Sequence, residues 1–499
     1  MTESIRPPDV NQDGLTVLRA PRDELSSVVP SLPARALEGL QVFRDEFGTG
    51  WLTTGLDGRA YRIGSEAGRA FVHRRIHAAG HTVRARELKE VMEGVSAVAQ
   101  LADDVRPVWY RLAPLGAAIV IDLGNGFWVK LSAGKVEVTK ATSDVQFERP
   151  PTMLALPVPA ERGDLSLLKS YWIMSDMDRM LMRALATYYI SHAKRPGTIF
   201  PILLLIGPEG IGKSVFCKLL SLLIDPTTVS IKSFPKNERD LAIAAQRSHL
   251  LCFDNLVRIR IDLAAALCLM VSGGSIETRK LFTDADTVVH RLHAAVVLNG
   301  IHSFADQQDL IQRCIRITLR PVSPQARRPE QEILGSFKSD LPVIFRGLLD
   351  LAAGILANLP NVKATDPERL VSFSNWLAAM ERAEGVPDGT YQGVYSATMG
   401  DSLLDGLLDD PVAAAVLEFM EGQSANTWRG TPAELLRELD ALVGRRASFA
   451  RDWPSNEIAL GKHLRTLEGG LARQGIVIET GRGRKRWISM ARVGGTAHD

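Results

Sequence analysis

The sequence predicts an α/β fold: a phosphate-loop core on a parallel sheet, with an α/β module before it and a small domain of helices and a hairpin after it. Three observations predict this. The stretch Gly207-Pro208-Glu209-Gly210-Ile211-Gly212-Lys213-Ser214 fits G-x-x-x-x-G-K-[ST] at every fixed position. Ile202 to Ile206 before it is an apolar run of buried-strand length, and Val215 to Leu223 after it reads as a largely buried helix. Two later apolar runs, His249 to Asn255 and Ala294 to Asn299, read as further buried strands that end in polar side chains.

At 499 residues the chain is long enough for two to four domains, and 45% hydrophobic residues suffice for real cores. A formal net charge of +2 points to no partner by itself, so any nucleic-acid surface must come from local clusters. Cys217, Cys252, Cys268 and Cys314 show neither a zinc spacing nor a disulfide framework, which fits a reducing cytoplasm. No signal peptide and no membrane-length apolar run is found, so no membrane partner is expected.

Residues 1–33 are polar and proline-punctuated and are expected to be poorly ordered. Residues 34–160 form the N-terminal module. Leu37 to Gly94 reads as mainly helical, with Arg69, His73, Arg74, Arg75, His77, His81, Arg84 and Arg86 as a DNA face or a solvated one. A meander follows over Gly116–Asp122, Phe127–Leu131 and Lys135–Thr139, with an Asn125-Gly126 hairpin turn. The run from Pro150 to Pro159 reads as a linker. The core is expected over 161–325, a helical segment covering it over 326–386, a second linker over 387–410, and the C-terminal domain over 411–499.

Strand, glycine loop and helix together aim backbone N–H groups and a helix N-terminus at a phosphate chain. The sequence therefore predicts that Gly207 to Val215 cradle ATP, with Lys213 on the outer phosphates and the Ser214 hydroxyl on Mg²⁺. Asp254, at the end of its strand, is the expected partner of Ser214 in holding the metal. Asn299 is placed to orient a water near the γ-phosphate. Arg313 could reach a neighbouring subunit's phosphate, and Arg316 competes for that role.

These motifs in this order, GPEGIGKS, LLCFDN, VVLNG and DLIQR, resemble the AAA+ ATPases. Within that class they are similar to the superfamily 3-type helicase domains of phages, plasmids and integrated elements. The resemblance implies a ring, commonly a hexamer, with ATP at subunit interfaces and single-stranded DNA in its channel. It also implies a channel hairpin over Ile276 to Leu292, where Arg279, Lys280, His290 and Arg291, with His293 just beyond, would meet DNA. One position departs from the pattern. Where the class usually has a glutamate that activates water, this chain has Asn255, which cannot act as a general base. Glu277 or Asp284 could substitute, or the chain could use ATP as a switch.

In the C-terminal domain, Thr431-Pro432-Ala433-Glu434 is a capping box that starts one helix, and Trp453-Pro454-Ser455 introduces a second. The first is expected to bury Leu435, Leu436, Leu439 and Leu442. The second is expected to bury Ile458, Leu460, Leu464 and Leu467 and to expose Lys462, His463 and Arg465. A hairpin whose tip carries Arg482, Arg484, Lys485 and Arg486 completes a pattern that resembles a winged helix, a binder of duplex DNA. Asp176-Met177-Asp178 has the spacing of a metal-binding acid pair but reads as the opening of a helix, so no primase activity is expected; a separate primase is a possible partner. The sequence reading is thus an ATP-dependent DNA helicase or replication initiator of a mobile element, with a non-unwinding, ATP-switched assembly or loading factor as the alternative.

Overall fold

The computed structural model describes residues 39–279, 287–300, 308–448, 453–483 and 486–493. The expected N-terminal flexible segment lies outside them, as do Lys280, Asp284, Arg484 and Lys485.

The chain opens with three strands, β1 (Gln41–Arg44), β2 (Gly50–Thr53) and β3 (Arg59–Arg62), where a helical stretch was expected. Four-residue strands are too short to show a period, and here Gly48, Gly55 and Gly58 at positive φ set the turns. Helices α1 (Glu66–Ala78) and α2 (Ala85–Leu101) follow. Next come β4 (Val108–Trp109), β5 (Leu112–Leu115), β6 (Ala118–Asp122), β7 (Phe127–Ser132), β8 (Lys135–Lys140) and β9 (Gln146–Glu148). The antiparallel meander β5-β6-β7-β8 contains the three expected strands, and a second sheet runs β1-β2-β3-β9-β4.

The expected 34–160 module is not one packing unit. Leu112, Ile121, Leu123, Val129 and Leu131 of the meander join the core beneath the central sheet, whereas α1 and α2 close over a separate apolar cluster around Val72, Ile76 and Val95. A fully buried Arg111 fastens the meander: it donates to Asp225 Oδ1 at 3.0 Å and to the carbonyls of Asp122 and Leu154. The proline-rich run is likewise a strap and not a free linker. Leu154 N donates to Pro226 O, Leu156 N to Leu123 O and Ala160 N to Pro342 O. Prolines lack a donor, but the residues between them keep theirs, and these pin the strap.

The central region runs α3 (Asp176–Ser191), β10 (Ile202–Ile206), α4 (Lys213–Ile224), α5 (Glu238–Gln246), β11 (Leu250–Leu256), α6 (Ile261–Val271), the hairpin β12 (Ser275–Arg279) and β13 (Thr287–Arg291), β14 (Ala295–Gly300), α7 (Gln308–Ile311) and β15 (Cys314–Thr318). Strands β11-β14-β10-β15 form an all-parallel sheet. Its strands are buried on both faces, which is why they read as continuous apolar runs. Asp176 and Asp178 do open α3, capped by Ser175.

Two helices follow, α8 (Glu330–Asn358) and α9 (Val371–Glu384); both pack on α3, and α8 also on α4 and the meander strands β7 and β8. The expected second linker is instead a helix, α10 (Thr390–Leu408). Its glycines and acids suggest a loop, but Tyr395, Met399 and Leu403 recur at helical spacing and bury in the main core. Tertiary burial outweighs a glycine cost of about 1 kcal/mol each.

The last region comprises α11 (Pro411–Glu421), β16 (Thr427–Gly430), α12 (Pro432–Ser448), α13 (Glu457–Arg473), β17 (Ile476–Arg482) and β18 (Arg486–Arg492), with sheet order β16-β18-β17. The Thr431–Glu434 capping box is formed in both directions. Leu435, Leu439, Leu460, Leu464 and Leu467 are buried as expected. Leu442 is 40% exposed and Ile458, in the first turn of α13, 60% exposed, so neither is a core residue. Asn456 caps α13.

Candidate functional site

Strand β10 lies between β14 and β15, and the chain returns to the sheet on opposite sides of it, so the carboxyl end of β10 is a topological switch point. The loop from Gly207 to Gly212 leaves the sheet there. Gly210 has φ +74° and Gly212 +93°, values that side chains rarely adopt, while nothing lies within 4 Å of where their Cβ atoms would sit. Backbone conformation, not space, therefore selects glycine at these two positions. Gly212 precedes α4 with no side-chain cap, which leaves the first N–H groups of that helix directed at the loop.

Lys213 Nζ donates to Gly207 O at 2.6 Å and to Pro208 O at 2.8 Å, across the mouth of the loop. Burial lowers its pKa below the ordinary lysine value, against the opposing pull of Asp254 and Glu209. One residue on, Ser214 Oγ donates to Asp254 Oδ2 at 2.7 Å. The other carboxylate oxygen, Oδ1, accepts from Asn299 Nδ2 and, at 2.8 Å, from the backbone N–H of Asn255. Four sequence-predicted residues from three elements thus meet in one chain of contacts.

Asn299 is fully buried, and its Oδ1 has no partner. A buried orphan acceptor ordinarily costs about 1–3 kcal/mol. The sheet is irregular where these groups lie: register shifts between Phe253 and Leu256, and Asn255 takes φ +60°. Asparagine tolerates this left-handed conformation better than most residues. Asn255 itself is exposed.

Among the described residues no cluster of three His, Cys, Asp or Glu side chains could hold a metal. The Ser214 hydroxyl and the Asp254 carboxylate form a sparse, all-oxygen donor set. It fits Mg²⁺, which takes one or two protein oxygens and completes its shell with water and phosphate.

A cavity of about 680 Å³ opens beside the loop. Pro208 to Gly212, Phe216 and Leu219 form one wall, and Tyr171, Ile173, Pro321, Val322 and Arg328 the other. The second wall was not foreseen. It is assembled when Arg320 N bonds Ile173 O at 2.7 Å, joining segments far apart in sequence, and its only local trace is a proline-rich turn after β15.

Arg313 lies at the end of α7, held by its own chain: Nη1 contacts Asp309 Oδ2 at 2.6 Å and the Asp309 carbonyl at 2.7 Å. Burial would raise the Asp309 carboxyl, but hydrogen bonds from Arg313 and Cys268 and the charges of Arg313 and Arg369 prevail and hold it low. Arg316 pairs with Asp405. Neither arginine lines the cavity. Arg291, at the base of the β12–β13 hairpin, donates to Lys194 O at 3.0 Å and sits over the Phe47 ring, which commits its guanidinium to neighbours in the same chain. The side chains of Arg279 and His290 lie outside the described residues.

In the C-terminal region Lys462, Arg465, Arg482 and Arg486 are exposed. His463 instead turns inward, its Nε2 2.7 Å from Asp410 Oδ2. The hairpin is braced by Trp487, whose ring packs where a Cβ on Gly481 would come within 2.2 Å, and Arg429 covers its face at 4.3 Å.

Fold and site define a mixed α/β protein that presents a glycine loop, a helix N-terminus and a half-buried carboxylate bonded to a buried amide at the switch point of a parallel sheet. Residues 173–406 match the family described as actinomycete integrative conjugative element replication protein, and residues 412–497 match its C-terminal domain. Over these two regions the chain belongs to the replication proteins of integrative conjugative elements. No curated protein matches the chain. Similar solved structures include an apo form of the NrS-1 C-terminal region (11% identity, TM-score 0.41, covering 94% of this chain and 98% of that one). Another is a JCV helicase with a bound compound (14% identity, TM-score 0.24, covering 47% and 65%). Likeness at that level says nothing about the chemistry of this chain. Among the described residues no helix is long and apolar enough to cross a membrane.

Proposed function

We propose that this chain is an ATP-dependent DNA helicase or replication initiator, a phosphate-loop ATPase of the AAA+ type with a C-terminal winged helix. The observation that carries the reading is the contact chain Ser214–Asp254–Asn299 beside the Lys213 loop. A bound Mg²⁺·ATP would supply a polarised γ-phosphoryl group. Around it, Glu209 to Val215 would donate backbone N–H groups, Lys213 would neutralise outer-phosphate charge, and Ser214 and Asp254 would hold the metal. The orphan Oδ1 of Asn299 is free to accept a hydrogen bond from a water and so to orient it. The neighbouring cavity would take the base and ribose between Tyr171 and the Pro321–Val322 turn.

ATP at subunit junctions of a ring, commonly a hexamer, would require Arg313 to exchange Asp309 for a neighbour's phosphate. The order α11, β16, α12, α13, β17, β18 supports reading this region as a winged helix, in which α13 would be offered to the major groove through Lys462 and Arg465 and the hairpin to the backbone. The β12–β13 hairpin would meet single-stranded DNA in the channel.

The test is ATP turnover by the purified chain with and without single-stranded DNA, with Lys213→Ala as reference. DNA-stimulated turnover that the variant lacks is the expected result. Tight ATP binding without turnover would sink the motor. A second reading, an assembly or loading factor switched by ATP without unwinding, is favoured by one observation: the residue after Asp254 is an amide in a left-handed conformation, with no carboxylate to activate water.

A further inference from the structure

Outside the nucleotide and C-terminal regions, α1 presents an exposed basic face. We propose that the solvent face of α1, with the turn into α2, is a second docking surface for the phosphate backbone of duplex DNA. It would be separate from the C-terminal hairpin and would deepen the DNA-binding part of the proposed function.

The helix is sharply divided. Gly68, Phe71, Val72 and Ile76 face the interior. At 100° per residue the opposite arc carries Arg69, His73, His77 and Arg74, all exposed, with small Ala70 and, a turn earlier, the exposed Glu66 among them. Arg69, His73 and His77 follow at four-residue steps, roughly 6 Å apart along the axis. His81 and Arg84, also exposed, continue the surface into the turn. Glu66 in the first turn is the sole acid of α1. Among the described residues neither Arg69 nor Arg74 has an ion-pair partner, whereas Arg86 and Lys89 further along pair with Glu90 and Glu93.

The chemistry of this arc selects the partner. A protein interface needs large apolar or aromatic anchors at its centre, and a membrane-surface helix needs an apolar face turned outward. This arc has neither. Single-stranded nucleic acid is held by stacking on exposed aromatics, but Phe71 is buried and stacked on Tyr61 at 4.1 Å. Arginine and imidazole donors without aromatic or apolar neighbours suit duplex phosphates, which are read through charge and hydrogen bonds alone.

The experiment is fluorescence anisotropy of the full chain with a mixed-sequence 30-base-pair duplex over a salt series. Arg69→Glu/Arg74→Glu and the milder Arg69→Ala/Arg74→Ala are compared with a control pair of exposed lysines elsewhere, Lys338→Glu/Lys363→Glu. The expected result is duplex binding weakened about tenfold by the glutamate pair and less by the alanine pair. The salt slope should shrink by about 1 to 2, with binding to an oligo-dT strand and ATP turnover unchanged. Duplex affinity and slope unchanged in both arginine pairs would overturn the surface and leave the ATPase reading intact. An equal loss in the control pair would also overturn it, by showing a general effect of net charge. If the wild-type chain binds no duplex at all, both this surface and the duplex-binding part of the proposed function fail.

Discussion

Asp254 accepts from Ser214, Asn299 and the N–H of Asn255, so its carboxylate is fixed on both oxygens before any ligand arrives. Under the proposed function such preorganisation matters, because a carboxylate that must first reorient to hold a metal loses geometry the reaction depends on. Asn255 is the position where this chain departs from the pattern it resembles. If the missing carboxylate limits turnover, Asn255→Glu should raise kcat for ATP hydrolysis at least tenfold, with the KM for ATP little changed. Unchanged kcat in a steady-state assay would assign the base elsewhere. The glycine-rich turn and the polar groups of Asp254 and Asn299 at their strand ends were legible because the motif is contiguous and each strand ends in its polar group. That Ser214, Asp254 and Asn299 touch one another was not, since parallel register alone brings Leu205 beside Asn299.

Elements were read best where one period ran long enough to be seen. The meander, α4 and the capped α12 fall in this group. The errors share one cause: short or glycine-bearing segments whose structure is imposed by what they pack against. Helix α10 is the plainest case, since Tyr395, Met399 and Leu403 are buried in the main core. Met399→Ala should therefore destabilise the fold by about 2–5 kcal/mol, the range for a buried methionine truncation, whereas in a linker it would cost nothing measurable. Urea denaturation of the variant decides between them. The proline strap was misread for the same reason. Gly163 approaches α8 so closely that a Cβ there would sit 2.2 Å from Gly347 N, a contact no local pattern encodes.

At the scale of the whole molecule, the meander, the central sheet and its helices share one core, and buried polar groups tie them together. Arg111 and Asp225 are both fully buried, an arrangement that is costly to break because the remaining partner keeps an uncompensated charge. Nearby, His249 and His293 are buried, each with Nε2 bonded to a carbonyl oxygen, of Tyr189 and Thr198, and Nδ1 without a partner. Burial first, and the charge of Lys194 next, push their pKa values down to about 4 and about 3. An unfolded histidine titrates near about 6.5. Below that value the unfolded chain takes up protons that the folded chain refuses. The contribution is thus present in full above about pH 6.5 and is lost as pH falls toward 4 and 3. Denaturation midpoints should drop measurably between pH 7 and 5, before most carboxylates titrate, and His249→Gln should flatten that slope. A midpoint constant over this range would refute the linkage.

The sequence by itself determined the glycine-rich turn between an apolar strand and a buried helix, the succession of apolar strands along the chain and the capping box that starts α12. Each is written in contiguous residues whose spacing matches a backbone period or a turn requirement. Only the tertiary structure decided that the N-terminal module splits between two cores, that α10 is a helix and the proline run a strap, and that Tyr171 and Pro321 share a wall. Those features arise from contacts between segments distant along the chain, and burial energy summed over such contacts overrides local propensity without leaving a local mark.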